Sequence, residues 1–223
     1  MPRLTVGTSQ GMETNMSRSM TFKSLIGTLM LLLCCSCLEE PDGLGLEQSE
    51  RNSYPGFGTE IDQIIAPLLF VQKNADGEDE SFGMEDIFAD ESNQLLLLTT
   101  SSGWCTACKE EQPTLQAMYE QYRARGLLVM VTLFQTQSFG PADSRYAQSW
   151  KSRYELTYPV VADTPFVMES YYPDGDASAT PLVMLVDVNT MTILYKTTGF
   201  QKDAVEGFID TRLPANLETN EGP

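Results

Sequence analysis

The sequence predicts an α/β domain with a central mixed β-sheet, helices on its faces and a β-hairpin at its start. Three observations predict it. The runs Gln94–Thr100 and Leu127–Phe134 are apolar without alternation, as strands buried on both faces are. Between them, Leu115, Met118, Tyr119 and Tyr122 recur at i, i+3, i+4 and i+7, one face of a helix. Near the end, Leu182–Val188, the turn Asn189-Thr190 and Thr192–Thr198 read as two antiparallel strands. Alternating strands and helices followed by a hairpin call for a mixed sheet.

The elements follow in order. Leu68–Val71 is a short apolar strand, Asn74-Ala75-Asp76-Gly77 is turn chemistry, the polar Glu78–Ser81 follows, and Phe82 starts the return of a hairpin. Met84–Phe88 fits a short helix. The strand Gln94–Thr100 is broken by Ser101-Ser102-Gly103, and a helix opens at the cysteines that follow. Pro113 falls inside that helix, where it removes a backbone hydrogen bond and is expected to bend the axis. Gly126 ends it. After the second buried strand come a loop (Gln135–Pro141), a helix (Ala142–Tyr154), a short strand (Tyr158–Ala162), a weak helix (Phe166–Tyr172) and a polar loop (Pro173–Ala179). Ala204–Leu213 forms a final helix with Val205, Phe208 and Ile209 on one side.

Composition narrows the chemistry. Among 223 residues, 31 acids oppose 14 bases for a net charge of −17, which repels phosphate backbones and argues against nucleic-acid binding. The absence of histidine excludes Ser-His and Cys-His catalysis and any His-ligated metal. Neither a cofactor nor a metal is expected.

The five cysteines form two groups. Cys34, Cys35 and Cys37 end a segment in which Arg18 and Lys23 precede the apolar run Leu25–Leu33. That run has the length of a secretory signal core and is shorter than the roughly 20 residues a membrane span needs. Leu33-Cys34-Cys35-Ser36-Cys37 resembles a bacterial lipoprotein signal. Cys37, preceded by Ser36, is the expected lipidated residue, with Cys35 the alternative; the translation start could also be Met12, Met16 or Met20. Residues 1–37 are therefore read as a signal peptide with lipobox, 38–60 as a flexible linker, 61–213 as the folded domain and 214–223 as a disordered tail. Leu38 after Cys37 resembles outer-membrane sorting, so the expected location is the periplasmic face of a bacterial envelope.

The second group is Trp104-Cys105-Thr106-Ala107-Cys108, followed by Lys109-Glu110-Glu111-Gln112-Pro113. Only a thiolate attacks a disulfide, and the unsatisfied N–H groups of a helix's first turn stabilise the anion. In a Cys-x-x-Cys pair the first thiol can titrate at ~3.5–7.5 instead of ~8.5. By position, Cys105 is the exposed attacker and Cys108 the buried resolver, with Trp104 covering one side of the sulfur. Zinc would need four ligands, which this domain does not supply. A structural clip over so short a loop would constrain little of the unfolded chain.

With these residues quoted, Leu68–Leu213 resembles the bacterial thioredoxin-like proteins of the TlpA/ResA type. The hairpin with Asp76-Gly77, the apolar strand, Trp104-Cys-x-x-Cys108, Glu111-Gln112-Pro113 and Thr180-Pro181 carry the resemblance, and Phe134–Ala179 matches the subfamily's insertion. It implies a thioredoxin-like fold, a redox disulfide Cys105–Cys108, and a cis Pro181 facing it. Thr180 would pair through its backbone with a substrate strand, and Glu111 would be the acid that moves protons. The partners implied are protein disulfides or dithiols and an unidentified electron donor, with the protein acting as a monomer. Two positions depart from the family. Thioredoxins carry a buried acid six residues before the first cysteine, where this chain has Thr99. The dipeptide Thr106-Ala107 replaces the commoner Gly-Pro or Glu-Pro. Since ~30 mV corresponds to about 1.4 kcal/mol in this two-electron couple, the direction of electron flow stays open.

Two other functions use the same fold. Ser102-x-x-Cys105 echoes a peroxidatic motif, although Leu98 stands where peroxiredoxins carry proline. A lipoprotein that uses the fold only as a docking module is the third reading.

Overall fold

The computed structural model describes residues 57–213; the expected signal and lipid site at Cys37 or Cys35, most of the linker, and the tail lie outside these residues. Seven strands form one sheet in the order β2-β1-β5-β4-β3-β6-β7. They are β1 (Leu69–Lys73), β2 (Asp79–Gly83), β3 (Leu95–Ser102), β4 (Leu127–Gln135), β5 (Val160–Ala162), β6 (Leu182–Asp187) and β7 (Thr192–Thr198). The helices are α1 (Met84–Ala89), α2 (Thr106–Tyr122), α3 (Ser144–Arg153) and α4 (Lys202–Arg212). β3, β4 and β5 run parallel, while every other pairing is antiparallel. This is the mixed sheet that the alternating pattern predicts.

β3 and β4 are buried along almost their whole length, so their side chains alternate between two cores rather than between core and water. Leu95, Leu97, Val129, Val131 and Leu133 join Leu115 and Met118 of α2, Trp150 of α3 and Ile209 of α4. Leu96, Leu98, Leu128 and Met130 join Ile87 of α1 and Met168, Tyr171 and Tyr172 on the opposite face. Each buried Leu or Val contributes roughly 1.5–3 kcal/mol through the surface it removes from water.

Several boundaries shift from those read in the sequence. Ser101 and Ser102 continue β3 instead of ending it, because the parallel pairing with β4 carries on past a register shift to Ser102 and Gln135. α2 contains Pro113 as expected but ends at Tyr122, and a 3-10 turn, Arg123–Arg125, carries the chain to Gly126. The weak helix at 166–172 is a 3-10 turn, Val167–Tyr171. Thr59 and Glu60, assigned to the linker by composition, lie against β7: Lys196 Nζ donates to Thr59 O at 2.8 Å and to Glu60 Oε1 at 2.9 Å.

The turn out of β3 depends on Gly103. Its N–H donates to Gln135 O at 2.8 Å, and a Cβ there would sit 2.3 Å from Gln137 N and 2.1 Å from the Tyr146 hydroxyl. The first of these is backbone that cannot move aside alone. Gly103→Ala is therefore expected to lower stability by about 1–3 kcal/mol, measured by urea unfolding followed by circular dichroism.

Candidate functional site

The site is assembled where β3 ends and α2 begins. Gly103 turns the chain, and Cys105 becomes the N-cap of α2 in extended conformation. Its Sγ accepts the Cys108 N–H at 3.0 Å, so the sulfur takes the place that a Ser or Asp oxygen holds in an ordinary N-cap. Cys105 and Cys108 are joined as a disulfide with Cα atoms 5.3 Å apart. The sequence reading needs one correction. Cys105 is not an exposed group but only 5% accessible, against 0% for Cys108. The exposed residues of this turn are Thr106 and Ala107, which carry the surface above the sulfurs.

Opposite Cys105 stands the loop before β6. The Thr180–Pro181 peptide is cis, and Thr180 O lies 3.8 Å from Cys105 Sγ. A buried polar network holds this loop to β3. The Tyr172 hydroxyl is within 2.8 Å of Thr180 Oγ1 and also bonds Thr100 Oγ1, which accepts the Leu182 N–H at 2.9 Å. Tyr172 and Thr100 were not singled out in the sequence. They are 72 residues apart, and no local pattern joins a threonine within a strand to a tyrosine so distant in the chain.

Trp104 points along the end of β4. Its Nε1–H donates to Gln135 Oε1 at 2.8 Å, and its ring stacks on Phe139 at 5.6 Å and meets Phe134 edge-on at 6.2 Å. Phe139 is 66% exposed, an apolar ring held in water beside the dithiol. Behind it lies a cavity of about 180 Å³ bordered by Phe134, Phe139, Phe166 and Pro165.

Glu111 is buried one helical turn beyond Cys108 and 5% exposed. Thr99 donates its hydroxyl to Glu111 Oε1 at 3.1 Å, while Oε2 has no hydrogen-bond partner. Burial outweighs that single bond and pushes the carboxyl up to about 8. The chain thus has a buried acid whose contact on β3 is Thr99, the position at which the sequence lacks one. Nearby, burial and then the charge of Glu111 push the Tyr158 hydroxyl upward.

A carboxyl held above its ordinary value of 4.5 binds a proton on folding. Its contribution to stability is complete below about 4.5 and is lost as the pH rises through about 8. Glu111→Gln removes this dependence. The stability of the variant relative to the parent should therefore rise between pH 4.5 and 8, by on the order of 2–4 kcal/mol, in urea titrations at stepped pH. A constant difference over that range would contradict the burial argument.

The AhpC/TSA family profile matches residues 65–190, more than half of the chain. Sporulation thiol-disulfide oxidoreductase A of Bacillus subtilis (strain 168) is 26% identical over 113 residues, covering 50% of this chain and 62% of its own length. The chain thus spans less than two thirds of that relative. Among solved structures, a putative thiol:disulfide interchange protein DsbE from Chlorobium tepidum superposes with a TM-score of 0.53 at 19% identity, over 70% of this chain and 100% of that one. Enterococcus faecalis AhpC gives a TM-score of 0.52 at 14% identity, over 68% and 90%. These likenesses agree with the TlpA/ResA-type resemblance of the motifs and with a thioredoxin-like fold, an α/β mixed sheet flanked by helices. The chain belongs to the AhpC/TSA family.

Proposed function

We propose that the chain is a membrane-tethered extracytoplasmic thiol-disulfide oxidoreductase that exchanges its Cys105–Cys108 pair with disulfides or dithiols of protein substrates. The observation that carries this reading is Cys105 Sγ at the N-cap of α2. A thiolate left there on reduction receives the Cys108 N–H and the positive end of the helix. In the reducing direction the Cys105 thiolate attacks a substrate disulfide. A Cys105–substrate bond forms, the substrate S–S bond breaks, and the released sulfur takes a proton. Cys108 then loses its proton, attacks Cys105 Sγ and frees the second substrate thiol. The substrate gains two electrons, and the protein is left as the disulfide that the structure contains.

In this reading Glu111 holds the proton that Cys108 gives up or takes back, since positions three apart on a helix share a face. Thr180 presents its backbone to the incoming chain, Pro181 closes the loop that carries it, and Trp104 borders the sulfur. The protein acts as a monomer, with an external electron donor in the same compartment. A lipid on Cys37 holds the domain at the membrane, and the likeness to the Bacillus thiol-disulfide oxidoreductase supports the chemistry. A peroxidase is the second reading, favoured by the family match and by the AhpC likeness.

Insulin-disulfide reduction with dithiothreitol as donor, run beside peroxide consumption, separates the two. Insulin reduction well above the donor background, with peroxide removal at the buffer rate, is expected; the opposite pattern selects the peroxidase. Cys105→Ser should bring insulin reduction down to background, and Cys108→Ser should accumulate mixed disulfides whose partners can be identified after purification. For the anchor, Cys37→Ser should block lipid attachment and move the protein out of the membrane fraction. Retention of processed Cys37→Ser protein in that fraction would sink the lipoprotein assignment.

A further inference from the structure

Near the dithiol stand the aromatic cavity behind Phe139, the unpartnered Oε2 of Glu111, and the buried hydroxyl of Thr99. The last two belong together, because the Thr99 hydroxyl bonds the other oxygen of the same carboxyl. We propose that Thr99 is a positioning residue for Glu111, and that the two form one proton-holding unit serving Cys108. The proposal rests on the dithiol reading above and adds to it a residue on a different element.

Geometry makes the argument. Thr99 lies on β3 between Val131 of β4 and Val183 of β6, is fully buried, and faces the core shared with α2. In those apolar surroundings its hydroxyl bonds Glu111 Oε1 at 3.1 Å. Glu111 Oε2 is buried without a partner, so a proton on the carboxyl belongs on Oε2, leaving Oε1 to accept from Thr99. The other titratable groups that feel this carboxyl are the Tyr158 and Tyr172 hydroxyls, from the segments before β5 and before the cis peptide. No cation contributes to its environment among the described residues. The Thr99 hydroxyl is therefore the group that favours the carboxylate against burial.

The step this unit serves balances simply. When an external thiolate attacks Cys105 Sγ, a new S–S bond forms there and the Cys105–Cys108 bond breaks. The electron pair leaves on Cys108 Sγ, which takes the Glu111 proton. A second external thiol completes the exchange, so the external dithiol is oxidised by two electrons and the protein is reduced. Closing the disulfide again returns the proton of Cys108 to Glu111.

The test uses the full chain and a small dithiol, so that its outcome does not depend on a protein substrate. Thr99→Val keeps the shape of the side chain and removes the donor, and Thr99→Ser restores the donor. The Glu111 midpoint is read by carbon NMR of the side-chain carboxyl. The functional readout is the rate at which dithiothreitol opens the disulfide, divided by the same rate in Glu111→Gln, across pH 6–10. Expected is a rise of the midpoint by about one pH unit in Thr99→Val, with the fall of the rate ratio moving by the same amount, and return of both in Thr99→Ser. The proposal is overturned if the midpoint stays in place, if it moves without the rate ratio, or if the ratio is one at every pH. Failure of the parent to reduce insulin would instead defeat the protein-disulfide reading, and the titration of Glu111 would still decide the role of Thr99.

Discussion

β3 is the constraint on which the site depends. It is clamped by parallel hydrogen bonding to β4 and antiparallel hydrogen bonding to β6, and it is buried on both faces. A slip of one residue would exchange every leucine between the two cores, so its register is set by packing alone. That register delivers Gly103 to the one place where the chain can turn against residues 136–137, and it makes Cys105 the first cap of α2. The same strand supplies Thr99 to the α2 side and Thr100 to the opposite side, where it ties down the Thr180–Pro181 loop through Tyr172 and Leu182. One strand thus positions the disulfide, the acid behind it and the loop in front of it.

Electrostatically the site is economical. In the proposed exchange the sulfur that becomes an anion is met by the Cys108 N–H at a helix terminus, which costs no desolvation of a second charge. The acid in the interior is treated in the opposite way. Among the described residues it has one hydrogen bond from a neutral hydroxyl, no cation beside it, and an environment that favours the protonated form. The first two turns of α2 thus pair a sulfur that accepts a helix N–H with a carboxyl that burial holds toward its neutral form.

The aromatic side of the site has a different character. Trp104 is oriented by Gln135 and by the faces of Phe139 and Phe134, and Phe134 stacks in turn on Phe166 at 4.0 Å. These rings come from the end of α2's approach, the end of β4, the loop after it and the segment after β5. They meet because parallel strands place their C-terminal ends along one edge of a sheet, where ligand sites of open α/β folds commonly form.

Much of this was legible in the sequence, for reasons particular to each element. The leucine run of β3 and the apolar run of β4 declared strands buried on two faces, and the 3.6-residue period of Leu115, Met118 and Tyr122 declared α2. Cys-x-x-Cys at their junction marked the chemistry, because spacing alone puts two thiols within one turn. Local pattern could not see the continuation of β3 through Ser101 and Ser102, since serines read as a break until a neighbouring strand hydrogen-bonds them. Nor could it see that Cys105 is covered, that Tyr172 joins Thr100 to Thr180, or that Thr99 and Glu111 touch. By itself the sequence determined the periodicities, the dithiol and the fold class, all of which are properties of neighbouring residues. Tertiary structure alone decided the burial of the sulfur and the partner of the acid, because both depend on which distant segments the sheet order brings against the end of β3.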